Sequence, residues 1–435
     1  MNKHHPANNV TPKGDYLKNK NVWLAVTGSV SCVESVGIAR ELLRYGANVT
    51  IVANRAALEL VGEKALEFAC GKPIIKEITG QVEHVIAGHD ADLLIIAPCC
   101  ATSLGKMVHG IGDNPPMLVA LTCIGAKTPM IVAPAMDKNM ANSKIIKQNL
   151  KEVHKFATVL EPIMVEGKAK LSSKFRITAE ACKVAGSNEL KKNKILVIGG
   201  GSSEELDDVR VITNKSTGKM AKHIAETAFS MGAEVELWMG NTTEEVGEWI
   251  SQKKFSSTDD LNKKIKKLGK YDAILVPAAL SDFIPTKSKG KISSQKIPEI
   301  KLKKAKKSIE LIRKKHKGIL CTFKLESGLK DKDLIEKGKT LLKNSDLVIA
   351  NHSEVLGNEK TKLAIITKKD TIWIEDTKIN ASKLILKEIN KDHSQILLFN
   401  GTNNILIRPV STFLLAQLFY FKVDSFFFTN YLFKV

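Results

Sequence analysis

Aromatic residues are scarce in this 435-residue chain, at 6% with four tryptophans and five tyrosines. No segment interleaves them with basic residues as a base-stacking RNA-binding strand does. The formal net charge of +20, densest from Lys253 to Lys343, is therefore read as solvated surface with a few lysines kept for anionic small molecules, and no nucleic-acid partner is expected. The seven cysteines are odd in number and form no CxxC pair. That argues against a disulfide framework or structural zinc and for a reducing, cytoplasmic setting. Long apolar runs are absent as well. Met1 to Lys20 is polar, with His4, His5 and Lys13, and lacks the apolar centre of a signal peptide. From Ile396 the chain turns rich in Leu and Phe, but its longest apolar stretch, Pro409 to Phe421, is too short to span a bilayer and is followed by Lys422 and Asp424. No membrane partner is expected. A hydrophobic share of 43% and a charged share of 26% are those of a globular protein, and the length calls for two cores.

One pattern opens both halves. Val22–Val26 reads as a buried strand, Thr27-Gly28-Ser29 as a turn, and Val33, Val36, Ala39, Leu42 and Leu43 as one helix face ended by Gly46, before a strand over Ala47–Val52. Later, Lys194–Ile198 reads as a strand and Gly199-Gly200-Gly201 as a turn. A helix then runs through Ala221, Ile224, Ala225 and Ala228 to Gly232, followed by a strand over Ala233–Trp238. Further buried strands are predicted at Asp92–Ala97, Pro129–Ala133, Ile274–Val276, Ile319–Phe323 and Leu347–Ala350. Strand–helix–strand units predict an α/β fold of two Rossmann-like parallel-sheet domains. The expected division is a polar extension over 1–21, a domain over 22–187, a linker over 188–193, a domain over 194–393 and an apolar extension over 394–435. Ligands bind outside the carboxyl ends of parallel strands. The places to examine are Thr27–Ser29, Pro98–Ser103, Pro134–Met140, Gly199–Ser203, Ala278–Asp282 and Asn351. Gly199–Ser203 reads as a backbone nest for phosphate, and Asn214 to Lys219 as a polar loop opening a helix, where anions are favoured. The GxxxxGK[ST] spacing of a Walker loop is absent.

The stretches VWLAVTGSVSCVESVGIARELLRYGANVTIV, ITGQVEHVIAG, DLLIIAPCCATSLGKMVHGIGDNPP and PMIVAPAMDKNM resemble the flavin-containing decarboxylases that include phosphopantothenoylcysteine decarboxylase. The resemblance implies a flavodoxin-like domain that binds FMN at a trimer interface. It places cofactor contacts at Gly28, Ser29, Thr102 and Ser103, and catalytic roles at His84, in QVEHV, and at Asp137. Three features depart from the family. Asp137 stands where an amide binds the substrate carboxylate. Pro98-Cys99-Cys100-Ala101-Thr102 replaces PATAN. The flap reads Val165-Glu166-Gly167-Lys168-Ala169-Lys170, without the cysteine that protonates the enethiolate in bacterial members. Cys99 and Cys100 read as small core residues.

The stretches GGGSSEELDDVRVITNKSTGKMAKHIAETAFSMGAEVEL, VPAALSDFIPTKSKGKI, FKLESG and SDLVIANHS resemble phosphopantothenate–cysteine ligase. That resemblance implies that the carboxylate of 4′-phosphopantothenate attacks the α-phosphate of CTP, and that cysteine's amine then displaces CMP from the acyl-cytidylate. By the same resemblance Asn214 and Lys291 are catalytic, and Gly200, Gly201, Val276, Pro277, Ala278, Asp282, Lys291, Phe323, Lys339 and Lys343 bind nucleotide. Asp282 is also the candidate ligand for Mg2+. The expected partners are small molecules and further copies of the chain, as decarboxylase-domain trimers and ligase-domain dimers. Two other readings stand beside this one: a working ligase with a degenerate flavoprotein half, and a flavin-fold binding protein.

Overall fold

The computed structural model describes residues 4–165, 168–293 and 299–400. Glu166 and Gly167 of the flap, and the stretch from Pro409 to Phe421, lie outside them. Apolar runs without polar alternation form strands buried on both faces. Strands β1 (Asn21–Val26), β2 (Asn48–Ala53), β3 (Leu93–Cys99), β4 (Met130–Pro134) and β5 (Thr158–Val159) pair in parallel in the order β2-β1-β3-β4-β5. This is the flavodoxin-like order, whose topological switch lies between β1 and β3. The second sheet holds β6 (Lys194–Gly199), β7 (Glu234–Met239), β8 (Ser251–Lys254), β9 (Ala273–Val276), β10 (Ile319–Glu326), β11 (Leu347–His352), β12 (Lys360–Ile366) and β13 (Thr371–Thr377). Its order is β8-β7-β6-β9-β10-β11-β12-β13, parallel through β11 and antiparallel beyond. The switch here lies between β6 and β9.

The helices that matter for the sites are α1 (Ser35–Arg44), α2 (Glu83–Asp90), α3 (Ala101–Val108), α4 (Pro115–Ala126), α5 (Lys174–Ala185), α6 (Lys219–Ser230), α7 (Asp331–Lys339) and α8 (Lys378–Asn400). The helix expected to run through Val33 starts later. Ser29 caps a 3-10 turn over Val30–Glu34 by accepting from the Ser31 N–H, and this leaves Val33 51% exposed. The α-helix proper begins at Ser35, whose hydroxyl donates to the Ala97 carbonyl at 3.1 Å.

Helix α5 packs on α1 on one side and on α6 on the other. Its inner residues Ile177, Ala181, Cys182 and Ala185 are buried, and the small size of the last three lets the neighbouring helices approach closely. Lys183 places its ammonium 4.3 Å from the centre of the Phe229 ring on α6. Tyr16 and Leu17, from the segment expected to be a polar extension, enter the same core, which runs unbroken from there to Ile389. The stretch expected to be a linker is also fastened down. Leu190 is buried and donates its N–H to Met231 O at 2.9 Å, and Asn193 O accepts from Glu234 N. At the other end of the core Lys383 grips Asp15, and its hydrogen bond holds that carboxyl below the usual carboxylate range.

Because Ile177 is fully buried where α5 meets its neighbours, Ile177→Ala is expected to cost about 2–5 kcal/mol by removing apolar volume that the packed helices cannot refill. Urea unfolding of the full chain measures this. A loss under about 1 kcal/mol would show that the seam repacks.

Candidate active sites

At the switch point of the first sheet the buried Thr27 hydroxyl joins two strand ends. It donates to Pro98 O at 2.7 Å and accepts from Cys100 N at 3.2 Å. Position 28 must be glycine, because a β-carbon there would stand 2.5 Å from that of Ala56. The first turn of α3 has no side-chain cap. Thr102 is exposed on that turn, while Ser103 is buried with its hydroxyl 3.3 Å from Cys100 Sγ. Burial pushes the Cys99 thiol well up. Cys100 is half-buried; burial raises its pKa too, but hydrogen bonds involving Ser103, Thr27 and Thr102 outweigh that and leave it below its ordinary value.

Strand β4 ends beside β3, with Pro134 paired to Cys99 and Ala135 N donating to Cys99 O. This carries the 134–137 segment to the same edge. Asp137 is exposed and accepts from Asn139 N at 2.8 Å as the cap of a short helix. Helix α2 ends just before β3 begins, so it runs antiparallel to that strand and its first turn faces the carboxyl edge. His84 is its second residue. The ring Nδ1 is buried and has no hydrogen-bond partner among the described residues. Val82, Val85 and Ile86 beside it are exposed apolar residues.

The second sheet's switch point corrects one expectation. The turn over 199–203 is no open phosphate nest, because the N–H groups of its last three residues are already committed. Gly201 N donates to Asn241 O at 2.8 Å, Ser202 N to Ala279 O at 3.1 Å and Ser203 N to Ser256 O at 2.8 Å, while Gly200 O accepts from Ala279 N. Gly200 has a φ of 76°, and a β-carbon there would meet Asn241 O at 2.7 Å. Gly200 and Gly201 thus lock β6 to β9.

The open space lies alongside, in two lobes. One, of about 340 Å³, is lined by Asn214, Gly218, Pro277, Ala278, Phe323, Gly357 and Lys378 among others. The other, of about 320 Å³, includes Val276, Ala278, Asp282, Phe323, Lys324 and Lys343. Ala278 and Phe323 belong to both and form the wall between them. Asn214 Nδ2 donates to Ala279 O at 2.9 Å. Asp282 is ion-paired to Lys307, and no group of three His, Cys, Asp or Glu suited to a metal occurs among the described residues. Lys339, at the end of α7, lines neither lobe and pairs with Glu336 at 2.8 Å.

Lys291 also lines neither lobe; it rides on a loop gripped by residues of the DDVR segment. Asp207 accepts from Ile292 N at 3.0 Å, and Asp208 from Gly290 N at 3.0 Å. Arg210 donates to Ile292 O at 3.2 Å while pairing with Asp207. The Ile292 N–H foremost, with those of Val209 and Arg210, holds the Asp207 carboxyl below its ordinary value.

The Flavoprotein family matches residues 10–186, and the C-terminal domain of the DNA/pantothenate metabolism flavoproteins matches residues 190–393. The coenzyme A biosynthesis bifunctional protein of Methanocaldococcus jannaschii is 34% identical over 388 residues, which is 87% of this chain and 95% of that one. The bifunctional protein of Thermococcus kodakarensis is 35% identical over 83% of this chain and 93% of its own. The chain belongs to the bifunctional coenzyme A biosynthesis family. A solved structure of the DNA/pantothenate metabolism flavoprotein from Streptococcus pneumoniae, 28% identical, covers 46% of this chain and 100% of that chain at a TM-score of 0.43.

Within this bifunctional family member, the clamp of Asp207, Asp208 and Arg210 is what motif reading left without a role. Its only sequence signal is two adjacent acids with an arginine two positions on, which equally describes a solvated turn. Asp207 is ionised and accepting throughout the pH range above the ordinary carboxylate value. The stability that this contributes is lost only as pH falls through the lowered folded pKa. Asp207→Asn at neutral pH removes the charge-assisted bonds, so exchange protection of the Ile292 amide is expected to fall on the order of 10-fold. Unchanged protection would show that the loop is held without the clamp.

Proposed function

We propose that the second half ligates cysteine to 4′-phosphopantothenate using CTP, and that the first half, with FMN, decarboxylates the phosphopantothenoylcysteine so formed to 4′-phosphopantetheine. The two-lobed cavity carries the ligase reading, since two substrates placed in adjoining lobes meet at the wall of Ala278 and Phe323. The proposed domains are 22–187 and 194–393.

In this reading the nucleotide lies in the second lobe, against Val276 and Ala278, with Lys343 toward its phosphates, and Pro277 faces the first lobe. The acid lies in the first lobe. Asn214, anchored on the Ala279 carbonyl, keeps one amide hydrogen for the acyl-phosphate oxygen. Attack at the α-phosphorus gathers negative charge, which cationic donors stabilise; Lys291, on its clamped loop, is the proposed donor. Lys339, paired outside both lobes, has a weaker claim. Mg2+ asks for only one or two carboxylates when it travels with nucleotide phosphates, and Asp282 supplies one if Lys307 yields it.

The first half's residues fit FMN. Ser29 and Thr102 offer hydroxyls, the uncapped turn of α3 suits a phosphate, and Thr27 fixes the two loops against each other. When bound, FMN supplies two-electron oxidation of the cysteinyl carbon and later returns the hydride. His84, its Nδ1 sheltered from water, hydrogen-bonds the departing carboxylate and orients it. Asp137, with one oxygen held by Asn139 N, has the other oxygen left for the substrate end of the site.

Exposed Val82, Val85 and Ile86 on α2 support trimers through the first half. Two antiparallel strand pairs, Ser203–Glu205 with Val211–Thr213 and Phe283–Pro285 with Leu302–Lys304, touch each other, and the exposed Val209, Val211, Phe283 and Leu302 that they carry support dimers through the second. Among the described residues no helix is long and apolar enough to cross a membrane.

The test is a coupled assay of the full chain with 4′-phosphopantothenate, cysteine, CTP and Mg2+, with products followed by mass spectrometry. Phosphopantetheine is expected. Accumulated phosphopantothenoylcysteine would mean a degenerate flavoprotein half, and no turnover with CTP or ATP would sink the proposal. Chelation of the metal is expected to stop pyrophosphate release while leaving decarboxylation of supplied phosphopantothenoylcysteine intact. His84→Asn is expected to slow decarboxylation on the order of 10²- to 10⁴-fold with ligation unchanged. A decarboxylation rate within a few-fold of wild type would remove His84 from the chemistry.

A further inference from the structure

Lys378, the first residue of α8, belongs to none of the motifs. Among the described residues it is the only buried lysine, 5% exposed. It lines the first lobe, and its ammonium makes one hydrogen bond, to the Val355 carbonyl at 3.1 Å. No carboxylate of the described residues pairs with it. The nearby acids are taken by other cations: Glu359 pairs with Lys219 at 2.7 Å, and Glu244 with Lys222 at 3.4 Å. Burial first, and the Lys219 charge second, push the Lys378 pKa down. An ammonium withdrawn from water without a counter-charge is costly unless something anionic completes it.

Also lining this lobe is the first turn of α6. Its cap, Gly218, is in the left-handed conformation and brings no side chain of its own; the Lys219 N–H is met by the Thr217 hydroxyl at 3.3 Å. Lys215 and Lys219 line the same lobe. Lys219 is paired with Glu359, which leaves Lys215 and Lys378 beside the positive end of the helix, an arrangement that suits a dianion better than a single carboxylate. The position of Lys378 separates the two anionic ends of the acid substrate. The reacting carboxylate must lie at the shared wall of Ala278 and Phe323, whereas Lys378 lines the first lobe alone.

We infer that Lys378 is a specificity-determining residue of the ligase half, holding the phosphomonoester of the acid substrate together with the first turn of α6. This rests on the two-lobe reading above. The Val355 bond keeps the ammonium in place on the 353–357 loop, whose Gly357 carbonyl Lys219 fastens at 2.9 Å.

The full-length chain and its Lys378→Met and Lys378→Arg variants are compared by pyrophosphate release, varying 4′-phosphopantothenate, unphosphorylated pantothenate and CTP in turn. Lys378→Met is expected to raise KM for 4′-phosphopantothenate on the order of 10- to 100-fold, the size of one charged hydrogen bond. The KM for CTP and the slow turnover of pantothenate should stay the same, and Lys378→Arg should recover part of the loss. Equal losses with pantothenate and with its phosphate ester would overturn the inference in favour of a merely structural lysine. A rise confined to the KM for CTP would assign the charge to the triphosphate instead. Calorimetric binding of 4′-phosphopantothenate to wild type and Lys378→Met decides the matter even if no nucleotide supports turnover, in which case the ligase reading fails separately. Bound FMN in each variant checks that it has folded, and Lys378→Gln replaces Lys378→Met if that variant lacks it. Wild-type-like affinity in a folded variant would refute the role.

Discussion

The close packing of α5 between α1 and α6 is the constraint on which the rest of the molecule depends. Ala181, Cys182 and Ala185 are small enough for three helices to share one seam, and Ile177 fills what they leave. Each flanking helix is the crossover that follows the first strand of its own sheet. Fixing α1 and α6 against a common neighbour therefore fixes β1 and β6, and with them both switch points. One buried cluster runs through both sheets, while the first sheet and the second also keep apolar clusters of their own. Leu190 and Asn193 are bonded into it through Met231 and Glu234, so a segment whose composition reads as a linker behaves as structure.

The parallel strands were legible because burial on both faces writes an uninterrupted apolar run, and the helix ends because Gly46 and Gly232 take positive φ where α1 and α6 stop. Less was legible where a neighbour decides the outcome. Strand β8, Ser-Gln-Lys-Lys, is exposed along its whole length and is held only by pairing with β7, so its residues carry no apolar signal. Strand β12 runs opposite to the six strands before it and β13 turns back in their sense, and nothing in the Lys360–Ile366 stretch states its partner. Val33 kept the helical spacing and lost the helix, because Ser29 offers its oxygen to Ser31 N and tightens the first turn.

At the sites, residue type announced chemistry but not commitment. Gly199 to Ser203 has the composition of an anion nest, yet its N–H groups at 201, 202 and 203 are held by carbonyls from three other segments. Those partners are 40 to 77 residues distant in sequence, beyond any local pattern. Lys339 and Lys343 sit four apart with equal claims on paper. The helix ends between them, so one pairs with Glu336 outside while the other lines a lobe. His84 had no standing as an isolated histidine; its place at the start of α2, with Nδ1 buried and unpartnered, gives its motif a physical meaning.

The ligase half also shows how buried charge divides into two kinds. Glu204 is buried but meets Thr258 twice, through N at 3.0 Å and the hydroxyl at 2.7 Å. Asp207 is likewise buried and surrounded by N–H donors from two segments. Both are satisfied from within, and both hold loops together. A group of that kind stabilises the fold because the cost of desolvation is offset by bonds present in every molecule. Lys378 is different: a single carbonyl bond cannot offset the desolvation of a full charge, and the acids that act on it, Glu359 and Glu244, are ion-paired with other lysines. Its cost falls on folding alone, and the gain comes only where an anion enters the lobe. A protein that already carries 66 lysines and arginines has no shortage of cations at its surface to attract phosphates, so attraction alone does not explain burying one more. Burial turns attraction into discrimination, because at low local dielectric the difference between a phosphomonoester and a neutral alcohol at the same place becomes large.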